Sequence, residues 1–331
     1  MKTSNWLVLL AVVALSAGLI ARGQTGAANR QTQPKERRNT VRLLTIGNSF
    51  AGNATTYLEE MAKAADRRVI LVRANLGGAS LERHWRHMRE HERDPESPEG
   101  RPYRIGGGKR SLREALEMES WDFVTIQQFS WLSHDPETYR PYARDLLGYI
   151  RRHAPQAEVR MHQTWAYRAD ELRPGYTEQE HHHADIRAAY HTIAAELGIG
   201  IIPVGEAFKN VRRHPDWHGR FPDPEFDPET ADYPELPDQK YSLCRGHFWR
   251  KDEEGWKLHL DTHHANAAGC YLGSAVFYES LFGESVVGNR YRPEGPSAER
   301  VAFLQRIAHD TVADRRNTTP HPPEPEDASH D

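Results

Sequence analysis

Val41-Arg42-Leu43-Leu44-Thr45-Ile46-Gly47-Asn48-Ser49-Phe50 is the stretch from which the fold is read. Six residues, mostly apolar, run without polar alternation, which marks a strand buried on both faces. Gly47 ends the run with a residue small enough for a tight turn. Leu58, Met61 and Ala65 follow at helical spacing over 54–65. Working outward, strand and helix keep alternating. Arg68 to Ala74, Asp122 to Ile126, Ala157 to His162 and Ile199 to Val204 read as further apolar strands. Between them Ser111 to Met118, Tyr139 to His153 and His182 to Leu197 read as helices, the last with Ile186, Tyr190, Ile193 and Leu197 in register. Five such strands predict an α/β architecture of three layers, α/β/α, around a five-stranded parallel sheet. Crossovers in such a sheet are right-handed, and ligands bind beyond the carboxyl ends of the strands. Residues just after Ile46, Ala74, Ile126 and His162 are therefore expected to converge.

The flanks have a different character. Lys2 precedes the apolar run Trp6 to Ile20, and small residues follow at Ala21 and Gly23. This reads as an export signal over 1–23, too short for a confident membrane span, and it predicts a periplasmic or extracellular protein with no stable membrane insertion after cleavage. Residues 24–40 read as a polar, basic linker, and 317–331, rich in Pro, Glu, Asp and His, as a disordered tail. The main domain is expected over 41–284, with a last helix from Ala267 to Leu281, and a C-terminal helical extension over 285–316. Within the domain, 209–257 lacks periodicity but is dense in Pro, Asp, Arg and aromatics, as an insertion or lid would be. The 331 residues carry a formal net charge of −4, which speaks against a nucleic-acid partner. Cys244 and Cys270 either pair, stabilising by about 3 kcal/mol in the chain-entropy picture, or remain buried thiols.

The chemistry-bearing residues sit where the sheet would gather them. Ser49 follows the first strand and precedes a helix, where N–H groups favour developing negative charge. A serine needs a base, and the base needs a carboxylate to fix its tautomer. Asp261-Thr262-His263-His264 supplies both within one turn, and spacing alone leaves the choice between His263 and His264 open. Gly77-Gly78, after the second strand, lets a backbone N–H approach a ligand oxygen. Gln127 and Gln128, after the third, bring side-chain amides to the same edge, and His162 and Trp165 follow the fourth. His181-His182-His183 with His191 do not face one way on a helix, and no carboxylate or Cys set of metal-like spacing accompanies them, so neither metal nor cofactor is expected. His84 and His87 read as solvated helix surface.

Leu43 to Phe50 resembles the first block of the SGNH/GDSL hydrolases, with Asn48 where Asp is commonest, and Asp261-x-x-His264 is similar to their last. The blocks at 46–50, 77–85, 121–128, 163–166 and 261–283 resemble more closely the DUF4886 branch of that superfamily. The resemblance implies the flavodoxin-like SGNH hydrolase fold and a serine esterase acting on small-molecule esters; export and the aromatics of 209–257 point to carbohydrate esters, since aromatic faces suit sugar rings. It implies Ser49, Asp261 and His264 as catalytic residues and backbone oxyanion donors at Ser49 and Gly78. Gln127 is expected as the third donor, replacing the Asn of the usual Gly-x-Asn-Asp block, and Asn48, Gln128, His162 and Trp165 as substrate contacts. Because the third block departs from the pattern, a glycan-binding module without turnover is the alternative.

Overall fold

Val41 and Leu43 pack into one apolar cluster and Leu44 and Ile46 into another, so this run is a strand covered on both faces. The computed structural model describes residues 38–176, 178–215, 217 and 221–318. The expected leader, the linker up to residue 37 and the tail from 319 lie outside them.

In chain order the elements are β1 (Thr40–Gly47), α1 (Ser49–Ala54), α2 (Leu58–Ala64), β2 (Arg68–Asn75), α3 (Leu81–Arg93), the short pair β3 (Tyr103–Ile105) and β4 (Gly108–Arg110), and α4 (Leu112–Glu117). There follow β5 (Phe123–Ile126), α5 (Tyr142–His153), β6 (Glu158–His162), α6 (Gln179–Leu197), β7 (Gly200–Ile202), α7 (Val204–Arg213), β8 (Cys244–Asp252), β9 (Gly255–Ala265), α8 (Ala267–Phe282) and α9 (Ala298–Thr318). The main sheet has the order β2-β1-β5-β6-β7, all parallel. This is the flavodoxin-like α/β/α sandwich expected. Residues of α3, α4, α5 and α6 fill the cluster on one face, and those of α1, α2, α7, α8 and α9 the cluster on the other. The chain leaves β1 for β2 on one side and later returns to pair β5 on the other, so the switch point of the topology is the end of β1. Ser49 stands there.

Three expectations change. The helix over 54–65 is two, α1 and α2, with a break at Thr55–Tyr57. The last strand is short, because α7 begins at Val204. The aperiodic 209–257 segment holds the end of α7, turns, and most of an antiparallel ribbon, β8–β9. Most residues of both ribbon strands are half-buried or exposed, so no core face imposes a period-two pattern on them. Among the described residues no helix is long and apolar enough to cross a membrane. Cys244 and Cys270 are buried free thiols.

Candidate active site

Asn48 shapes the turn that carries the serine. It is the N-cap of α1, and its Oδ1 accepts from the Phe50 N–H at 2.9 Å. The same oxygen accepts from Gln127 Nε2 at 2.6 Å, and Asn48 Nδ2 donates to Ala79 O at 3.0 Å. The carbonyl of Gly47 accepts from Leu76 N at 2.9 Å and from His84 Nε2 at 3.0 Å. His84 Nδ1 in turn accepts from the Tyr103 hydroxyl at 2.8 Å. A carbonyl only accepts, so Nε2 of His84 carries a proton; burial pushes the pKa down to about 3, against the Gly47 bond, so the ring is neutral and Nδ1 is the acceptor. A Cβ on residue 47 would meet Gln127 Oε1 at 2.6 Å, which explains the glycine. Beneath Ser49 the elbow is thus held by β1, the 76–79 turn, α3 and the end of β5.

Asp261, His263 and His264 arrive on the last residues of β9, not on a helix-initiating turn; α8 starts later, capped by Asn266. Asn53 Oδ1, one turn after Ser49, accepts from Ala265 N at 3.1 Å and ties the ribbon to α1. His264 Nε2 lies 2.9 Å from Ser49 Oγ, and His264 Nδ1 lies 2.8 Å from Asp261 Oδ2. Asp261 Oδ1 accepts from the backbone N–H of His264 at 2.9 Å and of His263 at 3.2 Å. Burial works to raise the Asp261 pKa, but the His264 ring and backbone bonds and the adjacent imidazoles outweigh it and hold the carboxyl well below the usual range. An ionised Asp261 accepts a hydrogen bond from Nδ1–H of His264, which leaves the Nε2 lone pair facing the hydroxyl. The array can withdraw a proton from Ser49 and return it to a leaving group.

Not every expected contact reaches the cleft. Gln127 is fully buried and its amide donates to Asn48 and to Gln128 O, so it braces the elbow and has no N–H left to aim at an oxyanion. Asn48 is buried, with its Oδ1 and Nδ2 both bonded to the elbow as described. Gln128 is fully buried; its Oε1 accepts from Leu81 N at 3.0 Å and its Nε2 donates to Thr138 O at 2.8 Å. His162 is fully buried against the edge of Phe277, with centroids 5.1 Å apart, and neither ring nitrogen has a partner. Trp165 stacks between Phe50 at 4.3 Å and Phe208 at 4.4 Å, and its Nε1 donates to His263 O at 2.9 Å. Gln127, expected as an oxyanion donor, and Asn48, Gln128, His162 and Trp165, expected as substrate contacts, are thus buried beneath the site; Asn48, Gln127 and Trp165 brace it. Gly78 is exposed beside the elbow, at φ 61°.

Sequence reasoning missed two groups. His84 is fully buried rather than surface; its block at 77–85 was the one available signal. Glu171 and Arg173, in the segment after β6, also reach the site. Arg173 Nη2 is 3.0 Å from His263 Nδ1, and Glu171 Oε2 bonds to the Thr262 hydroxyl. Among the described residues Asp261, His263 and His264 form the cluster whose donor atoms converge as metal ligands do, all within 4.8 Å. Both carboxylate oxygens already accept hydrogen bonds from the two histidines, which suits proton transfer better than ligation.

The profile of DUF4886, described as a domain of unknown function, matches residues 42–216. No curated protein matches the sequence. The crystal structure of a DUF4886 family protein from Bacteroides uniformis is similar at 26% identity and a TM-score of 0.64, over 85% of this chain and 97% of that one. A Slackia heliotrinireducens protein inferred to be an SGNH hydrolase aligns at 20% identity and a TM-score of 0.44, over 73% of this chain and 100% of the other. Axe2, an acetylxylan esterase from Geobacillus stearothermophilus, aligns at 12% identity and a TM-score of 0.43, over 77% and 99%.

Proposed function

The chain belongs to the DUF4886 family, and from that premise and the geometry of its site we propose that it is an exported serine esterase working through an acyl-enzyme on Ser49. The observation that carries the reading is the continuous hydrogen-bond line from Ser49 Oγ through His264 to Asp261, 2.9 Å and 2.8 Å. Ser49 Oγ attacks the ester carbonyl carbon as its proton passes to His264 Nε2. The resulting oxyanion is met by the N–H groups of Ser49, at the first turn of α1, and of Gly78. The bond to the alcohol oxygen then breaks, and His264 gives that oxygen its proton. Water, deprotonated by His264, attacks the acyl-enzyme and releases the acid and Ser49. Asp261 holds the imidazolium throughout and stays ionised.

Export rests on the apolar run Trp6 to Ile20. The substrate class, a small-molecule or carbohydrate ester, is supported by the partly exposed aromatic ring of Trp131 beside Arg173. The test is steady-state hydrolysis of a short-chain nitrophenyl ester by the wild type and Ser49→Ala, with and without chelator. Loss of turnover in Ser49→Ala and indifference to chelator support the reading. Equal turnover in both proteins sinks it. Chelator sensitivity would favour an ion at Asp261, His263 and His264 instead.

A further inference from the structure

His263 lies outside the proton-transfer line, yet it is the more elaborately held of the two imidazoles. Its backbone N–H donates to Asp261 Oδ1 at 3.2 Å and its carbonyl accepts from Trp165 Nε1 at 2.9 Å. Its ring stands against that of His264, centroids 4.3 Å apart. Arg173 Nη2 points at its Nδ1 from 3.0 Å. Asp261 Oδ1 lies farther from the same Nδ1, at 3.3 Å; the nearer guanidinium has only N–H to offer, so the Nδ1 lone pair is the acceptor and the ring proton of neutral His263 sits on Nε2. Arg173 is itself fixed. Its Nε and Nη2 donate to Glu171 at 3.2 and 3.0 Å, and its guanidinium lies over the rings of Trp131 and Tyr167, 5.1 and 4.7 Å from their centroids. Burial lowers the His263 pKa, Asp261 opposes this, and His264 and Arg173 lower it further, to about 4. The ring is therefore neutral at ordinary working pH. Its side chain is 28% exposed. With Nδ1 turned to Arg173, the Nε2 edge carries an N–H for which the described residues show no acceptor.

The ring lies beside His264, the group that must protonate the departing alcohol oxygen, so its free N–H borders the alcohol part of the substrate. The partly exposed Trp131 ring lies against the Arg173 guanidinium that holds His263. We propose that His263 is a specificity-determining residue whose Nε2–H donates to a hydroxyl neighbouring the esterified oxygen, so that the site selects esters of polyols such as sugars over esters of simple alcohols. This rests on the esterase reading above. Arg173 and Glu171 are positioning residues that set the tautomer.

The test compares 4-nitrophenyl acetate with a monoacetylated methyl glycoside, in the wild type, His263→Phe, His263→Gln and Arg173→Met. His263→Phe keeps a ring of similar shape without the donor, and Gln restores an N–H. Expected is a loss of about tenfold to 100-fold in kcat/KM for the glycoside ester in His263→Phe, with 4-nitrophenyl acetate within about threefold and partial recovery in His263→Gln. In parallel, 15N shifts of labelled imidazoles should report Nε2–H at His263 in the wild type and a mixture of tautomers in Arg173→Met. Equal losses on both esters, no loss on either, or an Nδ1–H tautomer in the wild type would overturn the proposal. Turnover of the nitrophenyl ester but not the glycoside by the wild type overturns it while leaving the esterase standing. Turnover of neither removes both.

Discussion

Asp261→Asn is the most informative single change, because the substituted side chain fits and only its proton pattern differs. Asp261 Oδ1 receives two backbone N–H groups, from His264 at 2.9 Å and His263 at 3.2 Å, so the asparagine oxygen must take that position. Its NH2 then replaces Oδ2, 2.8 Å from His264 Nδ1. Two donors cannot share that contact, so neutral His264 moves its proton to Nε2 and presents N–H, not a lone pair, to Ser49. The base is lost although every heavy atom stays in place. A wrong tautomer of this kind lowers kcat by about 10⁴-fold, about 5.4 kcal/mol of barrier. The assay is ester hydrolysis at saturating substrate, with circular dichroism to show a native fold. The pH dependence of stability gives a second readout. The folded-state pKa of Asp261 is depressed, so its contribution to stability is present above the unfolded carboxyl pKa and is lost as pH falls through the folded one. The wild type's advantage over Asp261→Asn should accordingly shrink as the medium is made strongly acidic. A folded Asp261→Asn enzyme within tenfold of wild-type kcat would refute the assignment of Asp261.

Asn48→Asp, which brings the first block closer to the commonest pattern of the superfamily, should lose about 1–3 kcal/mol in denaturant titration, because a carboxylate oxygen would replace the N–H donor to buried Ala79 O. Arg168→Ala should destabilise by about 3–5 kcal/mol, since it strands Asp170, whose carboxylate is bonded to it at 2.8 and 2.7 Å in a pair 3% and 6% exposed. His162→Phe should keep esterase activity and leave stability unchanged or raise it by about 1 kcal/mol, because it replaces two buried nitrogens without partners by carbon. A large loss of activity in that variant would restore His162 as a substrate contact.

The parts of the site legible in the sequence were those fixed by the sheet. Gly47-Asn48-Ser49 closes an apolar run whose burial on both faces leaves no other reading, and the topology brings whatever follows such a strand to one edge. Asp261 and His264 were legible as a pair because three residues separate them. Their setting on a two-stranded ribbon was not, since neither ribbon strand has a buried apolar face that would leave a hydrophobic period to read. The buried polar residues resisted for another reason. Gln127 stands after a strand, where an amide can serve a ligand or a loop equally well, and only the position of Asn48, distant in sequence, decides between them. His84 sits among Arg83, Arg86 and His87, which mask a ring buried by Tyr103 and the Gly47 carbonyl. Arg173 carries no local signal, because its partner His263 comes from another segment altogether.

The central claim is that Ser49 is a nucleophile activated by His264. Incubation of the folded protein with a fluorophosphonate, followed by peptide mass spectrometry, tests it directly. A single adduct on the Ser49 peptide is expected, absent from Ser49→Ala and formed far more slowly in His264→Ala. Failure of the folded wild type to label, or an adduct that persists in Ser49→Ala, would contradict it.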